Sequence, residues 1–303
     1  MVRKDRIDAS GAAVLVGISL MLGFNQVVIK VTNGGLQPVF WAGLRSFGAI
    51  FCVLLWMHLT GKKIHIAKGT VSAAVLMGLV FSTEFLLLFV ALDHTTVVRV
   101  SVIFYSMPVW LALLAHFLLP GQRLTWGTSA GFALAMAGVT WAIIDRKGAD
   151  AGSASLVGDL CALGAAIGWA GIPLCARGTA MKRVPAEMQL LWQVVVSTPI
   201  LLAASILFGP WIRELGPIHY LGVLFQIVFV TTATFIVWFR MLSIYPPSGV
   251  ASFSFLAPLA GVFFGWIMLN EPLSVSILGA LALVCAGLVL INRPSSGSAS
   301  DKA

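Results

Sequence analysis

Within VLMGLVFSTEFLLLFVAL, residues 75–92, one ionisable side chain, Glu84, interrupts an otherwise apolar run. At the centre of a bilayer such a group costs roughly 2.5–3.5 kcal/mol on insertion scales, so its presence calls for a partner or a function. The residues one turn away, Val80, Phe81, Leu87 and Leu88, carry no charge. The partner must therefore come from another helix, from water or from a ligand. Two chemistries fit. A protonated Glu84 can donate to a neighbouring helix as structural glue, or a Glu84 facing a wet cavity can bind a substrate amine or exchange a proton.

A second group follows in the chain. His94, Ser101, Tyr105 and Pro108 are spaced by seven, four and three residues, which puts them on one face of a continuous helix. Pro108 removes a backbone hydrogen bond and frees a carbonyl one turn earlier, marking either a packing kink or a hinge. Asn25 and Gln26 lie deep in the first apolar segment, where amides hydrogen-bond a zwitterion's carboxylate or hold helices together. Trp169, equivalent to Phe24 if Gly23–Phe24 and Gly168–Trp169 are aligned, offers an indole that stacks on an apolar or aromatic substrate part; Tyr105 is alternatively a core aromatic at a packing kink. Arg45 lies too deep in its segment for easy snorkelling and needs a carbonyl, a carboxylate such as Glu84, or a substrate carboxylate. Lys30 is expected to snorkel to the headgroups and Arg99 to sit at the membrane interface.

The elements that must position these residues are membrane spans. The chain has 303 residues, 59% hydrophobic and only 10% charged, with a mean hydropathy of +0.98, where a globular chain carries about 25% charged residues. A hydrocarbon core about 30 Å thick takes roughly 20 apolar residues per helix. On that rule ten segments appear, at 10–31, 37–59, 70–92, 96–119, 125–144, 156–176, 186–209, 217–239, 246–269 and 273–292. The first run follows MVRKDR but is too long, and too poor in a small-residue cleavage site, to be read as a signal peptide. Cys52, Cys161, Cys175 and Cys285 fall singly in apolar runs, with no CxxC and no metal-ligand spacing. The formal net charge of +8 is scattered in short loops and forms no nucleic-acid-binding face.

Those scattered charges set topology. With both termini cytoplasmic, Lys62, Lys63, Lys68, Arg177, Lys182, Arg183 and Arg240 fall on the cytoplasmic side, and only Arg146, Lys147 and Arg213 fall in loops opposite. Residues 1–145 hold five segments, 146–155 form a polar linker, 156–292 hold five more, and 293–303 read as a disordered cytoplasmic tail. Five helices before a linker and five after it make any repeat an inverted one. LDHTTVVRVSVIFYSMPVW (from Leu92) aligns with LSIYPPSGVASFSFLAPLA (from Leu242), setting Pro108 opposite Pro258 and Tyr105 opposite Phe255. GQRLTWGTSAGFALAMAG (Gly121 to Gly138) aligns with NEPLSVSILGALALVCAG (Asn270 to Gly287). The fold expected is an all-α polytopic membrane protein of ten transmembrane helices in two inverted five-helix repeats, with any substrate site near the midplane.

The LGFNQVVIK end of the first segment, FWAGLR in the second, and the paired GQRL and NEPL turns with AMAG and VCAG behind them resemble the drug/metabolite transporter superfamily, specifically its EamA-type branch. The resemblance covers about residues 10–292 and is similar in particular to bacterial exporters of amino acids and related metabolites, including the YddG type. It implies an inner- or plasma-membrane secondary transporter without cofactor or bound metal. One position departs: the turn acid present as Glu271 is replaced by Gln122 in the first half, so it is not an essential charge in both repeats.

Other classes find less support. An intramembrane enzyme needs a nucleophile with its base or a metal cluster, and HExxH, GxSxG and aspartate pairs are missing from the apolar segments. A channel lacks charge rings and a filter-like loop. Nothing resembles GxxxxGK followed by Ser or Thr, so energy comes from a substrate gradient, proton exchange or a partner. The expected substrate is a small amphipathic metabolite, most simply an amino acid. Its expected binding residues are Glu84, Tyr105, Trp169, Asn25, Ser101 and His94, with Pro108 and Pro258 as hinges; the alternative cargo is another metabolite or a drug.

Overall fold

The structure is a computed structural model that describes residues 7–120, 125–145, 155–246, 249–250 and 252–292. The helices are α1 (Ala9–Gly35), α2 (Pro38–Leu59), α3 (Val71–His94), α4 (Val97–Phe104), α5 (Met107–Leu118), α6 (Trp126–Ile144), α7 (Leu156–Gly178), α8 (Ala186–Ser205), α9 (Pro217–Phe225), α10 (Phe235–Ile244), α11 (Leu256–Leu269) and α12 (Val275–Asn292). A π-helical stretch, Gln226–Thr234, joins α9 to α10. Among the described residues nine helical spans are long and apolar enough to cross a membrane, and the shorter α11 takes the place of the ninth expected segment. The chain is a multi-pass membrane protein. Apolar side chains such as Phe51, Phe117 and Leu207 lie exposed on the outer surface that lipid would cover.

Local chemistry explains where helices start. Asp8 caps α1 by accepting from the Gly11 amide at 2.9 Å, and Gln37 caps α2, which opens on Pro38, by accepting from Phe40. The fourth expected segment is not continuous. It begins after an extended Thr95–Thr96 break, runs as α4, turns at Tyr105–Ser106 and restarts as α5 with Pro108 in its first turn. At the break the Ile103 carbonyl accepts from the Ser106 hydroxyl at 2.6 Å and from the Ser106 amide at 3.2 Å. Residues 252–255 form turns before α11, with Pro258 again in the first turn of the restarted helix. The two prolines thus occupy matching restarts. In the π-helical stretch, the Thr232 and Thr234 hydroxyls donate to the carbonyls five residues back, Ile227 and Phe229, at 2.9 Å each.

Packing bears the marks of an inverted repeat. In the repeat alignment Gly131 corresponds to Ala280 and Gly138 to Gly287, so a Gly131/Gly287 contact requires a twin, Gly138/Ala280. Both exist. A Cβ on Gly131 would lie 2.8 Å from the Gly287 carbonyl oxygen, and one on Gly138 would lie 2.7 Å from that of Ala280. These contacts bring α6 and α12 together backbone to backbone, as small residues do in membranes. A second small-residue ladder joins α3 to α7, where Gly164, Gly168 and Gly171 face Leu87, Glu84 and Val80 in turn. The linker up to residue 154, the Gly121–Leu124 turn with Gln122, and the tail from Arg293 lie outside the described residues.

The glycine contacts have opposite energetic signs at different sites. A methyl at Gly287 would sit 2.5 Å from the Gly131 carbonyl oxygen, whereas one at Gly17 meets nothing within 4 Å. Gly287→Ala is expected to destabilise by about 1–3 kcal/mol through overpacking. Gly17→Ala should be neutral or gain up to about 1 kcal/mol from helix propensity. Thermal unfolding in detergent checks both, and equal shifts for the two variants would refute the packing account.

Candidate functional site

Glu84 is placed by the ladder between α3 and α7. Its Cβ lies 3.2 Å from where a Cβ on Gly168 would be, so only glycine lets α7 approach this closely. The residue is buried, and its Oε2 has no hydrogen-bond partner among the described residues. Across from it, α2 delivers Arg45, buried and within Glu84's electrostatic field without a direct ion pair. The guanidinium carbon sits 3.8 Å from the centroid of Phe85, with Phe89 at 5.6 Å and Phe81 at 6.0 Å. Arg45 Nη1 donates to Gln226 Oε1 at 3.4 Å, and Gln226 in turn donates to Asn25 Oδ1. A polar chain thus runs from α2 through the first π-helical residue to α1.

The other wall is aromatic. Trp169 stacks on Phe104 with centroids 4.9 Å apart and planes at 10°, and meets Tyr105 edge-on at 6.1 Å. Tyr105 donates its hydroxyl to the Leu22 carbonyl at 2.7 Å, which the turn at Tyr105–Ser106 allows. Gln26 is fully buried beside Tyr105, and neither end of its amide makes a hydrogen bond of normal geometry. Ser101, one turn before Tyr105, is pressed against Gly261 of α11 with its hydroxyl unpartnered.

Glu84, Asn25, Tyr105 and Trp169 therefore belong to one neighbourhood, spanning α1, α3, the α4–α5 break and α7, with Ser101 at its margin. His94 does not join them. The seven-residue spacing to Ser101 presumed one helix, but His94 ends α3 and Thr95 is fully extended, so the side chain lies exposed beyond the break. Two further expectations change. Lys30 donates to the Thr95 carbonyl at 2.9 Å instead of reaching out to headgroups. Arg99 is buried and ion-paired with Asp159 at 2.6 Å. Burial costs the arginine, the lysine and the Thr95 carbonyl their hydration, and the Asp159 and Lys30 contacts offset that cost.

These contacts close the end of the molecule that carries Thr95. Glu271, in the turn between α11 and α12, accepts the Val97 and Val98 amides at 2.8 Å each, one on each carboxylate oxygen. Thr95 and Arg99 both bind Asp159 of α7. Arg213 grips Asp93 with both terminal nitrogens, at 2.7 and 2.9 Å, and also holds the Asn33 carbonyl. The Asp93 hydrogen bonds push the Arg213 pKa above its ordinary value, so this arginine stays charged. Asp159, Gln226 and Arg213 were not singled out by sequence. Asp159 alone carried a signal, as a lone acid in the first turn of a span.

A bundle of broken helices around buried polar groups is an arrangement that secondary transporters share. The sequence profile of the EamA-like transporter family matches it twice, over residues 9–144 and 156–293. The chain belongs to the EamA-like transporter family. The two matches make this EamA-like transporter a two-repeat membrane protein, as the paired glycine contacts require. It is 24% identical to the uncharacterized transporter YoaV of Bacillus subtilis, covering 91% of this chain and 94% of that protein. It is 28% identical to a protein of Escherichia coli named a probable amino-acid metabolite efflux pump, covering 96% and 95%. A solved crystal structure superposes at a TM-score of 0.65 and 20% identity, covering 93% of this chain and 96% of its own, which shows the shared fold.

The double amide cap of this EamA-like transporter makes a sharp prediction. Glu271→Gln keeps the shape but leaves one acceptor oxygen for two amides. One buried N–H then loses its partner, at a cost of about 1–3 kcal/mol. Chemical unfolding in detergent should show that loss, and an unchanged midpoint would mean that α4 does not rely on Glu271.

Proposed function

We propose that this transporter exports small amphipathic metabolites, amino acids foremost, by alternating access of its two repeats around the Glu84 neighbourhood. The observation that carries the reading is Glu84 itself, buried against Gly168 of the other repeat with an unpartnered oxygen. A polar group so placed is costly unless cargo or a proton uses it. Asn25, Tyr105, Trp169 and Ser101 complete the binding surface in this reading. The names of the relatives from Escherichia coli and Salmonella typhimurium, both probable amino-acid metabolite efflux pumps, favour amino acids and the outward direction. The charge asymmetry of the loops favours a cell-membrane location with both termini in the cytoplasm. The moving bodies are then residues 1–145 and 156–292.

Uptake of a panel of labelled amino acids into proteoliposomes tests the cargo. At least one is expected to be transported in a saturable way, and failure of the whole panel would overturn the reading. Glu84→Gln, which keeps shape but cannot titrate, is expected to bind cargo yet lose the pH dependence of transport; full activity with an unchanged pH profile would return Glu84 to a structural role.

The helix restarts at Pro108 and Pro258 act as hinges in this mechanism. Replacing either proline with alanine should slow transport several-fold while shifting thermal stability little. Wild-type rates in both variants would remove the hinge assignment.

A further inference from the structure

Among the described residues two arginines are buried, and their contacts differ on one edge. Arg99 uses its Nε and Nη2 on the two oxygens of Asp159, at 3.1 and 2.6 Å. This side-on fork is the geometry in which a guanidinium holds a carboxylate with two parallel hydrogen bonds. Arg45 is as deeply buried, 1% exposed against 4%. Yet its Nε and Nη2 have no hydrogen-bond partner among the described residues, and only Nη1 is used, on Gln226.

Everything around Arg45 fixes its plane and leaves that edge unsatisfied. The Phe85 ring lies under the guanidinium. Gln226 is oriented because its amide nitrogen is committed to Asn25, which turns its oxygen toward Arg45. Glu84 is close enough to feel the charge but does not bond to it. A buried cation with an unsatisfied Nε/Nη2 edge, in the electrostatic reach of a buried acid it does not bond, is the charge complement of a molecule carrying one carboxylate and one ammonium. Leaving such charges uncompensated is expensive, whereas a zwitterion satisfies both at once.

We propose that Arg45 is the carboxylate-binding residue of the transport site, its Nε and Nη2 receiving the substrate carboxylate while Glu84 receives the substrate ammonium. The assignment rests on the amino-acid reading above and sharpens it: recognition requires both charged groups of the substrate. Gln226 is a positioning residue that acts through Arg45. The aromatic rings of Phe85 and Trp169 leave the rest of the cargo an apolar surround.

Competition against labelled substrate in proteoliposomes tests this with three matched sets: phenylalanine, phenethylamine and 3-phenylpropanoate; leucine, isoamylamine and 4-methylpentanoate; cysteine, cysteamine and 3-mercaptopropanoate. The wild type should prefer at least one amino acid by about tenfold or more over both its amine and its acid, the size expected for losing a charged hydrogen-bonded contact. Arg45→Gln should abolish the preference over the amine and keep that over the acid; Glu84→Gln should do the reverse. Equal losses for amino acid and amine in Arg45→Gln would show a packing role and overturn the proposal. So would a wild type that transports an amino acid without preferring it to its amine. Transport of none of the three amino acids would overturn the amino-acid reading and the proposal with it. Should Arg45→Gln fail to assemble, Arg45→Lys, which keeps the charge but not the fork, must lose the same preference. If neither assembles, the wild-type preferences decide.

Discussion

The rest of the structure depends on one contact between the repeats, the carboxylate of Glu271 accepting the first two amides of α4. Thr95, Thr96 and Val97 are buried in the connection between two spans, so the start of α4 needs acceptors supplied by the protein itself. Thr96 supplies one to Arg99, and Glu271 supplies two more from the other repeat. The extended Thr95–Thr96 break is tolerable for that reason. From it follow the short α4, the turn at Tyr105 and the delivery of the Tyr105 hydroxyl to α1.

The same economy of close approach governs the centre. Glu84 reaches the interface because α7 presents Gly164, Gly168 and Gly171 to Leu87, Glu84 and Val80 of α3. Larger residues there would hold the helices apart and let water or lipid compensate the carboxyl. Instead the gap is filled by the neighbours of Arg45, whose guanidinium lies on Phe85 and is tethered by Gln226 from the π-helical stretch. A π-helix carries one extra residue per turn, shifting the register of everything after it. That shift begins at the residue that reaches Arg45.

Much of this was legible in the sequence, and what was not has identifiable causes. Span number, repeat and the prolines follow from hydropathy and self-similarity, which are properties of composition and order. Glu84 and Asn25 stood out in the sequence by the cost of polar groups at depth, Tyr105 by helical spacing and Trp169 by its place in the repeat. His94 misled because a helical spacing was carried across two β-branched threonines, where α3 ends and α4 begins. Lys30 and Arg99 misled because depth alone does not say whether a cation finds lipid headgroups or a buried acceptor. Gln226 was invisible because an amide in an apolar run has no periodic signature, and its role exists only through tertiary contact with Arg45 and Asn25.

The repeat is symmetric in backbone but not in charge, and this has a mechanical consequence. At the Thr95 end stand Lys30, Arg99 and Glu271, each bound to another element. In the repeat alignment Arg99 corresponds to Gly249 and Glu271 to Gln122, and setting Gly23–Phe24 of α1 against Gly168–Trp169 of α7 places Lys30 opposite Cys175. The opposite end therefore has no charged copies of these three contacts. Two inverted halves of identical chemistry would hold both ends equally well, and the carrier would rest with neither end preferred. Here separation of the repeats at the Thr95 end breaks the Arg99–Asp159 pair and the Glu271 cap, the Lys30–Thr95 bond lying within one repeat, while separation at the other end breaks no aligned equivalents. In the alternating-access reading proposed above, the two access states then differ in energy through these few side chains, and whatever drives the cycle works against that difference once in every turnover.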